Sequence, residues 1–161
     1  MPAISFAEAL AVAVKIEDNG IAFYEEAARQ SADPAAMEVF RKLAAFEKEH
    51  KNYFARLAKT AEAYESRFAT DPKNEFASVL SAMADNSVFD LRAGSAGMLH
   101  SRENAAEVVR MAIGLEKDSV IFYLGLKESM REKAEAENIN EIIREEMRHI
   151  TILHDLLKKQ A

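Results

Sequence analysis

The chain has 161 residues, 49% hydrophobic and 30% charged, so it is long enough to bury a sizeable core and reads as one soluble globular domain spanning residues 1–161. A net charge of -6 argues against a nucleic-acid partner, and the absence of cysteine excludes disulfides, thiolate metal sites and cysteine-held iron–sulfur clusters. No stretch approaches the ~18 uncharged apolar residues of a membrane span.

The apolar start, MPAISFAEALAVAVKIED, has no basic residue before its apolar run, and Glu8 interrupts that run. It reads as the beginning of a helix rather than an export signal. With zero cysteine, a cytoplasmic location is expected. Few Gly and Pro among abundant Ala, Glu, Lys and Leu favour helix nearly throughout.

Ser5 followed by Glu8 is a capping-box signature and opens a first helix running to Gln30. SADP breaks it, Asp33 serving as cap and Pro34 as first helical residue of a second helix reaching about Tyr64. Residues 68–102 hold TDPKN, a short amphipathic piece near Phe76–Met83, and RAGSAG, which reads as a long connection containing one short helix. Ser101 or Asn104 opens a third long helix to about Arg131. A fourth starts between Ala134 and Glu141 and ends near Lys159. The fold class is therefore all-α: an antiparallel four-helix bundle of two hairpins joined by a long crossover.

Each long helix carries an apolar stripe at steps of three and four. The second reads Phe40, Leu43, Glu47, His50, Phe54, Leu57. The fourth reads Ile139, Ile142, Glu146, His149, Leu153, Leu156. The first reads Leu10, Ala13, Glu17, Gly20 or Ile21, Tyr24, Ala27, and the third Val109, Ile113, Glu116, Val120, Tyr123, Met130. Every stripe is interrupted by one Glu, and two also carry a His three residues further on.

The interruptions repeat. Glu17 and Glu116 are 99 residues apart, as are Tyr24 and Tyr123, Glu47 and Glu146, and His50 and His149. Glu17 and Glu47 each lie roughly 22 Å from the turn between their helices, at 1.5 Å per residue, so they stand nearly level, and the second hairpin has the same spacing. All four carboxylates converge at one height. Four buried carboxylates repel one another and are costly to desolvate unless protonated or paired with cations. Two divalent ions would neutralise them, and two neutral imidazoles would complete the ligand set. Oxygen and imidazole donors without sulfur suit iron, or alternatively manganese.

Other residues carry less. Tyr24 and Tyr123 lie two turns past their Glu residues, and helical side chains lean toward the N-terminus. Either hydroxyl can reach a carboxylate that ligates metal, or can be satisfied elsewhere in the core. Phe23, Phe46 and Phe122 read as packing, and the methionines as core filler. His100, in the crossover, and His154, off the ligand face, read as surface residues. Glu25, Glu26, Glu49 and Glu145 read as solvated.

With Glu17 and Tyr24, Glu47-x-x-His50, Glu116 and Tyr123, and Glu146-x-x-His149 in place from about Phe6 to Leu157, the chain resembles the ferritin-like di-iron superfamily, most closely the rubrerythrin family. The resemblance implies that Glu47 and Glu146 bridge two iron ions, that Glu17 and Glu116 are terminal carboxylates, and that His50 and His149 each ligate one ion. It also departs from that family. No rubredoxin-type four-cysteine site is present, so electrons would come from a separate donor such as rubredoxin or a reductase. Ser119 stands where rubrerythrins carry a further Glu. The six-ligand set that remains resembles bacterioferritin, yet Lys48 occupies the place of that family's haem-ligating Met, so no haem is expected, and no fifth helix fits after Lys159.

The resemblance thus implies a non-haem di-iron oxidoreductase reacting with hydrogen peroxide or O2, foremost a rubrerythrin-like peroxidase, working as a homodimer. The alternatives are a ferroxidase or other iron-handling protein, a metal-binding protein without turnover, and a helical interaction module with a vestigial site.

Overall fold

Ser5 caps the first helix as its sequence predicts: its hydroxyl accepts from the Glu8 backbone N–H at 3.2 Å, and the Glu8 carboxylate accepts from the Ser5 N–H at 2.8 Å. The computed structural model describes residues 5–60, 99, 104–130 and 133–160. Among these, four helices and no strand are present: α1 (Phe6–Gln30), α2 (Pro34–Ala58), α3 (Ala105–Ser129) and α4 (Lys133–Gln160). None is long and apolar enough to cross a membrane.

Asp33 caps α2 through Ala35 N–H at 2.9 Å, with Pro34 as its first residue. The helix stops at Ala58, short of Tyr64. Lys59 and Thr60 donate to the carbonyls of Arg56 and Leu57, three residues back, and the Thr60 hydroxyl takes the Leu57 carbonyl at 3.0 Å. A side chain competing for a backbone acceptor is a helix-ending device that composition alone does not reveal. Of the two candidate starts for α3, Asn104 is the cap, bonded reciprocally with Glu107. The helix ends at Ser129 rather than Arg131, because Met130 turns extended. Helix α4 begins at Lys133, ahead of the expected range. The short helix expected near Phe76–Met83, and His100, lie outside the described residues.

Two apolar clusters make the core. One joins Phe6, Leu10, Ile16, Phe54, Phe122, Leu126 and Ile139, and the other joins Phe23, Phe40, Leu43, Val109, Leu153 and Leu156. The first collects the start of α1, the ends of α2 and α3, and the start of α4. Hence α1 and α4 run one way and α2 and α3 the other. Helix α2 ends, and α3 begins, at opposite ends of the bundle, so their connection is a crossover. Leu99, from that connection, is buried in the second cluster. Helix α1 packs mainly on α2, and α3 on α4, with α1 also meeting α3 and α2 meeting α4. Burying each large apolar side chain in these clusters stabilises the fold by roughly 1.5–3 kcal/mol.

The stripe expected on α3 is rotated in the structure. Ile113, Val120 and Met130 are half-buried, whereas Val108, Ala112, Ser119, Phe122 and Leu126 are buried. Small residues at 112, 119 and 125 are among the buried ones, and a pattern weighted toward large apolar side chains misses them. The described methionines are not core filler: Met37, Met111 and Met130 pack at the margins of the clusters and Met147 is 56% exposed. Phe46 is likewise 41% exposed rather than packed in the core.

Candidate metal centre

Between the two apolar clusters lies a polar layer. Each helix crosses it once, and each delivers one carboxylate: Glu17 from α1, Glu47 from α2, Glu116 from α3 and Glu146 from α4. His50 and His149 follow one turn after Glu47 and Glu146. All six side chains are buried, although most buried charged groups occur only in pairs or around ions. The six candidates read from the sequence are therefore brought together without exception.

They form two interlocking sets. Donor atoms of Glu17, Glu47, His50 and Glu146 lie within 4.8 Å of one another, and so do those of Glu47, Glu116, Glu146 and His149. The 99-residue offset carries Glu17, Glu47 and His50 of the first set to Glu116, Glu146 and His149 of the second, and the fourth member changes from Glu146 to Glu47. These two carboxylates belong to both sets. Both imidazoles present Nδ1 to the carboxylates. His50 Nδ1 is 3.1 Å from Glu146, 3.8 Å from Glu17 and 3.9 Å from Glu47. His149 Nδ1 is 2.9 Å from Glu146, 3.3 Å from Glu47 and 3.6 Å from Glu116. The two rings stack with centroids 5.8 Å apart.

Tyr24 and Tyr123 sit on the edges of the layer. The Tyr24 hydroxyl donates to Glu116 Oε1 and the Tyr123 hydroxyl to Glu17 Oε1, so each bond crosses between α1 and α3. Phe54 stacks on Tyr123 at 4.9 Å and Phe40 on Tyr24 at 6.2 Å, which fixes both rings. Burial, together with the charge of the accepting carboxylate, pushes both phenols well above their ordinary range, so they remain donors.

Protons balance the charge in the absence of cations. Burial, then the Glu47 carboxylate, pushes Glu17 and Glu116 well above the usual carboxylate range. Burial acts on Glu146 in the same sense, but the His149 and His50 imidazoles beside it outweigh burial and hold Glu146 at about 2. The imidazoles respond in kind. Burial disfavours their cations, yet the carboxylates raise His50 to about 9 and His149 to about 12.

Four buried ligand atoms nevertheless lack an aligned hydrogen bond: Glu17 Oε2, Glu47 Oε1, His50 Nδ1 and Glu146 Oε1, the last two being 3.1 Å apart. Orphaned buried polar atoms are rare in folded proteins. All four belong to the first of the two sets. A hard or borderline cation is the group that such oxygens and imidazole nitrogens would satisfy together, so the residues fit a bound divalent metal.

Two features of the surroundings were not legible beforehand. Glu145, expected to be merely solvated, places a carboxylate oxygen 2.7 Å from His50 Nε2. Glu25 and Glu26 do keep to the surface, paired with Lys48 and Arg29. Glu49 and His154 are exposed as expected. The second feature is a small cavity of about 10 Å3 between α1 and α3, lined by Asn19, Gly20, Tyr24, Glu47, Glu116 and Ser119. It has the capacity of about one water. A Cβ on Gly20 would come within 3.3 Å of the Glu47 side chain, so a residue without one lets Glu47 lie where it does.

The family model described as ferritin-like domain matches residues 5–159. A crystal structure from Thermotoga maritima, described as that of a ferritin-like diiron-carboxylate protein, superposes with a TM-score of 0.73, covering 100% of this chain and 99% of that chain at 20% identity. At that identity the likeness is one of fold. No curated protein matches the sequence.

Proposed function

From the premise that the chain belongs to the ferritin-like domain family, we propose that it is a non-haem di-iron carboxylate oxidoreductase, which reduces hydrogen peroxide with electrons from a separate donor. The observation that carries this reading is the pair of interlocking donor sets sharing Glu47 and Glu146, with four buried ligand atoms left without an aligned hydrogen bond. Glu47 and Glu146 would bridge two ions. Glu17 and His50 would complete one half, and Glu116 and His149 the other. Four carboxylates match the charge of two divalent cations.

Bound iron would supply Lewis acidity and two electrons, the number needed to reduce one peroxide. The residues of the chain supply the geometry. Tyr123 occupies Glu17 Oε1 and so leaves Oε2 turned to the interior; Tyr24 holds Glu116 by the same device. The apolar clusters on either side keep bulk water from the layer. Reduction of peroxide to two waters consumes two protons along with the two electrons. The small cavity beside Glu47 and Glu116 suits a substrate no larger than a few atoms.

Ser119 favours a second reading. It lines that cavity at the position where rubrerythrins carry a further Glu, and the six-ligand set that remains resembles that of bacterioferritin, which favours the ferroxidase alternative. In that reading Fe(II) is the substrate and O2 the oxidant.

Anaerobic loading with Fe(II), removal of loose metal and an iron count test the first step. Two ions per chain support the centre; a count near zero with iron and with manganese removes the enzymatic reading. Peroxide consumed much faster than O2 by the loaded protein supports the peroxidase, and the reverse order supports the ferroxidase. Bound metal with turnover of neither leaves a metal-binding protein.

A further inference from the structure

The repeat that relates the two halves of the centre fails at the pair of positions that touch the two histidines. Position 145 is Glu, and its counterpart 99 residues earlier, position 46, is Phe. Both contact the histidine of the opposite hairpin. Glu145 meets His50 Nε2 at 2.7 Å. Phe46 packs its ring against the His149 ring, with centroids 5.3 Å apart. Among the described residues, the three carboxylates near His149 all approach Nδ1, the interior nitrogen.

An imidazole that donates its outer N–H to a carboxylate has its tautomer fixed, its ring held and its inner nitrogen made a stronger donor. A phenyl ring offers only packing. We infer that Glu145 is a positioning residue that makes the centre asymmetric, so that the ion beside Glu17 and His50 is tightly held and the ion beside Glu116 and His149 is the exchangeable one. The inference rests on the dinuclear reading above and adds to it which half keeps its ion. The side-chain carboxylate of Glu145 is 43% exposed, so its replacement disturbs little packing.

The test is a titration of the metal-free protein with Co(II), a probe inert to peroxide-free buffer, read by its visible absorption. The parent protein is expected to bind two ions in two resolved steps. Glu145→Gln should weaken the tighter step by about 10- to 100-fold, the usual consequence of losing a carboxylate behind a ligating histidine, and leave the weaker one in place. Phe46→Glu should strengthen the weaker step. Glu49→Gln, which removes the same charge from an exposed site, should move neither. In 15N-histidine spectra of the zinc-loaded protein, the Nε2–H of His50 should move upfield in Glu145→Gln, whose amide oxygen accepts more weakly, and should be lost to solvent exchange in Glu145→Ala, changes that a merely structural role would not produce. Two ions bound with equal affinity, or a Glu145→Gln protein with both steps unchanged, overturns the asymmetry while leaving the dinuclear centre standing. No binding by the parent protein overturns both.

Discussion

The Tyr123 hydroxyl on α3 donates to Glu17 on α1, and Tyr24 on α1 returns the same bond to Glu116 on α3. Four buried groups from two hairpins are thereby tied across one seam. Removing one hydroxyl leaves a buried carboxyl oxygen without its donor. Tyr123→Phe is expected to destabilise the metal-free protein by about 1–3 kcal/mol, and Tyr24→Phe by a similar amount. Urea unfolding of the two variants measures this. A loss below a few tenths of a kcal/mol would show that water replaces the phenol.

Glu47 belongs to both donor sets, whereas Glu17 belongs to one. Glu47→Ala should therefore abolish the metal-induced rise in melting temperature and reduce bound iron toward zero. Glu17→Ala should retain one ion per chain. Equal stoichiometries for the two variants would contradict the bridging role of Glu47.

The metal-free protein should lose stability as pH rises. His50 at about 9 and His149 at about 12 bind protons more tightly in the folded chain than at the ordinary imidazole value near 6.5. Their contribution is complete below about pH 6.5 and is lost as pH climbs through 9 toward 12. The raised carboxyls of Glu17 and Glu116 act in the same direction from the carboxylate range upward. Glu146, held at about 2, acts oppositely, and its contribution is lost only as pH falls from the carboxylate range toward 2. Metal must displace the imidazole protons, so metal-induced stabilisation should grow over the range in which the metal-free protein weakens. Urea midpoints at pH 6 and pH 9, with and without metal, provide the measurement. A metal-free midpoint that rises with pH would reject this account.

Gly20→Ala sets two effects against each other. Alanine is the better helix former by about 1 kcal/mol. Its Cβ would, however, lie 3.3 Å from Glu47 Cγ and 3.4 Å from Oε2. The variant is expected to be as stable as the parent or more so when metal-free, yet to bind metal more weakly because Glu47 must shift. Improved metal affinity would show that Glu47 has slack in this position.

Much of this was legible in the sequence because the interruptions of the apolar stripes are strong signals. A Glu or His at a position that helical periodicity assigns to the core has few explanations. A constant 99-residue offset shared by four pairs narrows them to one site built twice. The partners of the tyrosines were not legible, since spacing places Tyr24 and Tyr123 near the layer without saying that their bonds cross between α1 and α3. Glu145 was hidden for another reason. It adjoins Glu146 in a run of charged residues, and only packing of α2 against α4 brings it to His50. The small residues lining α3 were overlooked because apolar patterning weighs side-chain size. Close approach of one helix to another depends on its absence.

The interlocking of the two donor sets also bears on how such a centre can change over time. Two identical hairpins, paired about a twofold axis as separate chains, could supply the same four carboxylates and two histidines. Such a dimer must carry one residue type at both equivalent positions, so any gain at one ion is imposed on the other. Joining the hairpins in a single chain lifts that constraint: Glu145 and Phe46 occupy equivalent places and differ. Covalent linkage thus gives the two donor sets separate mutational histories around the pair of carboxylates they share.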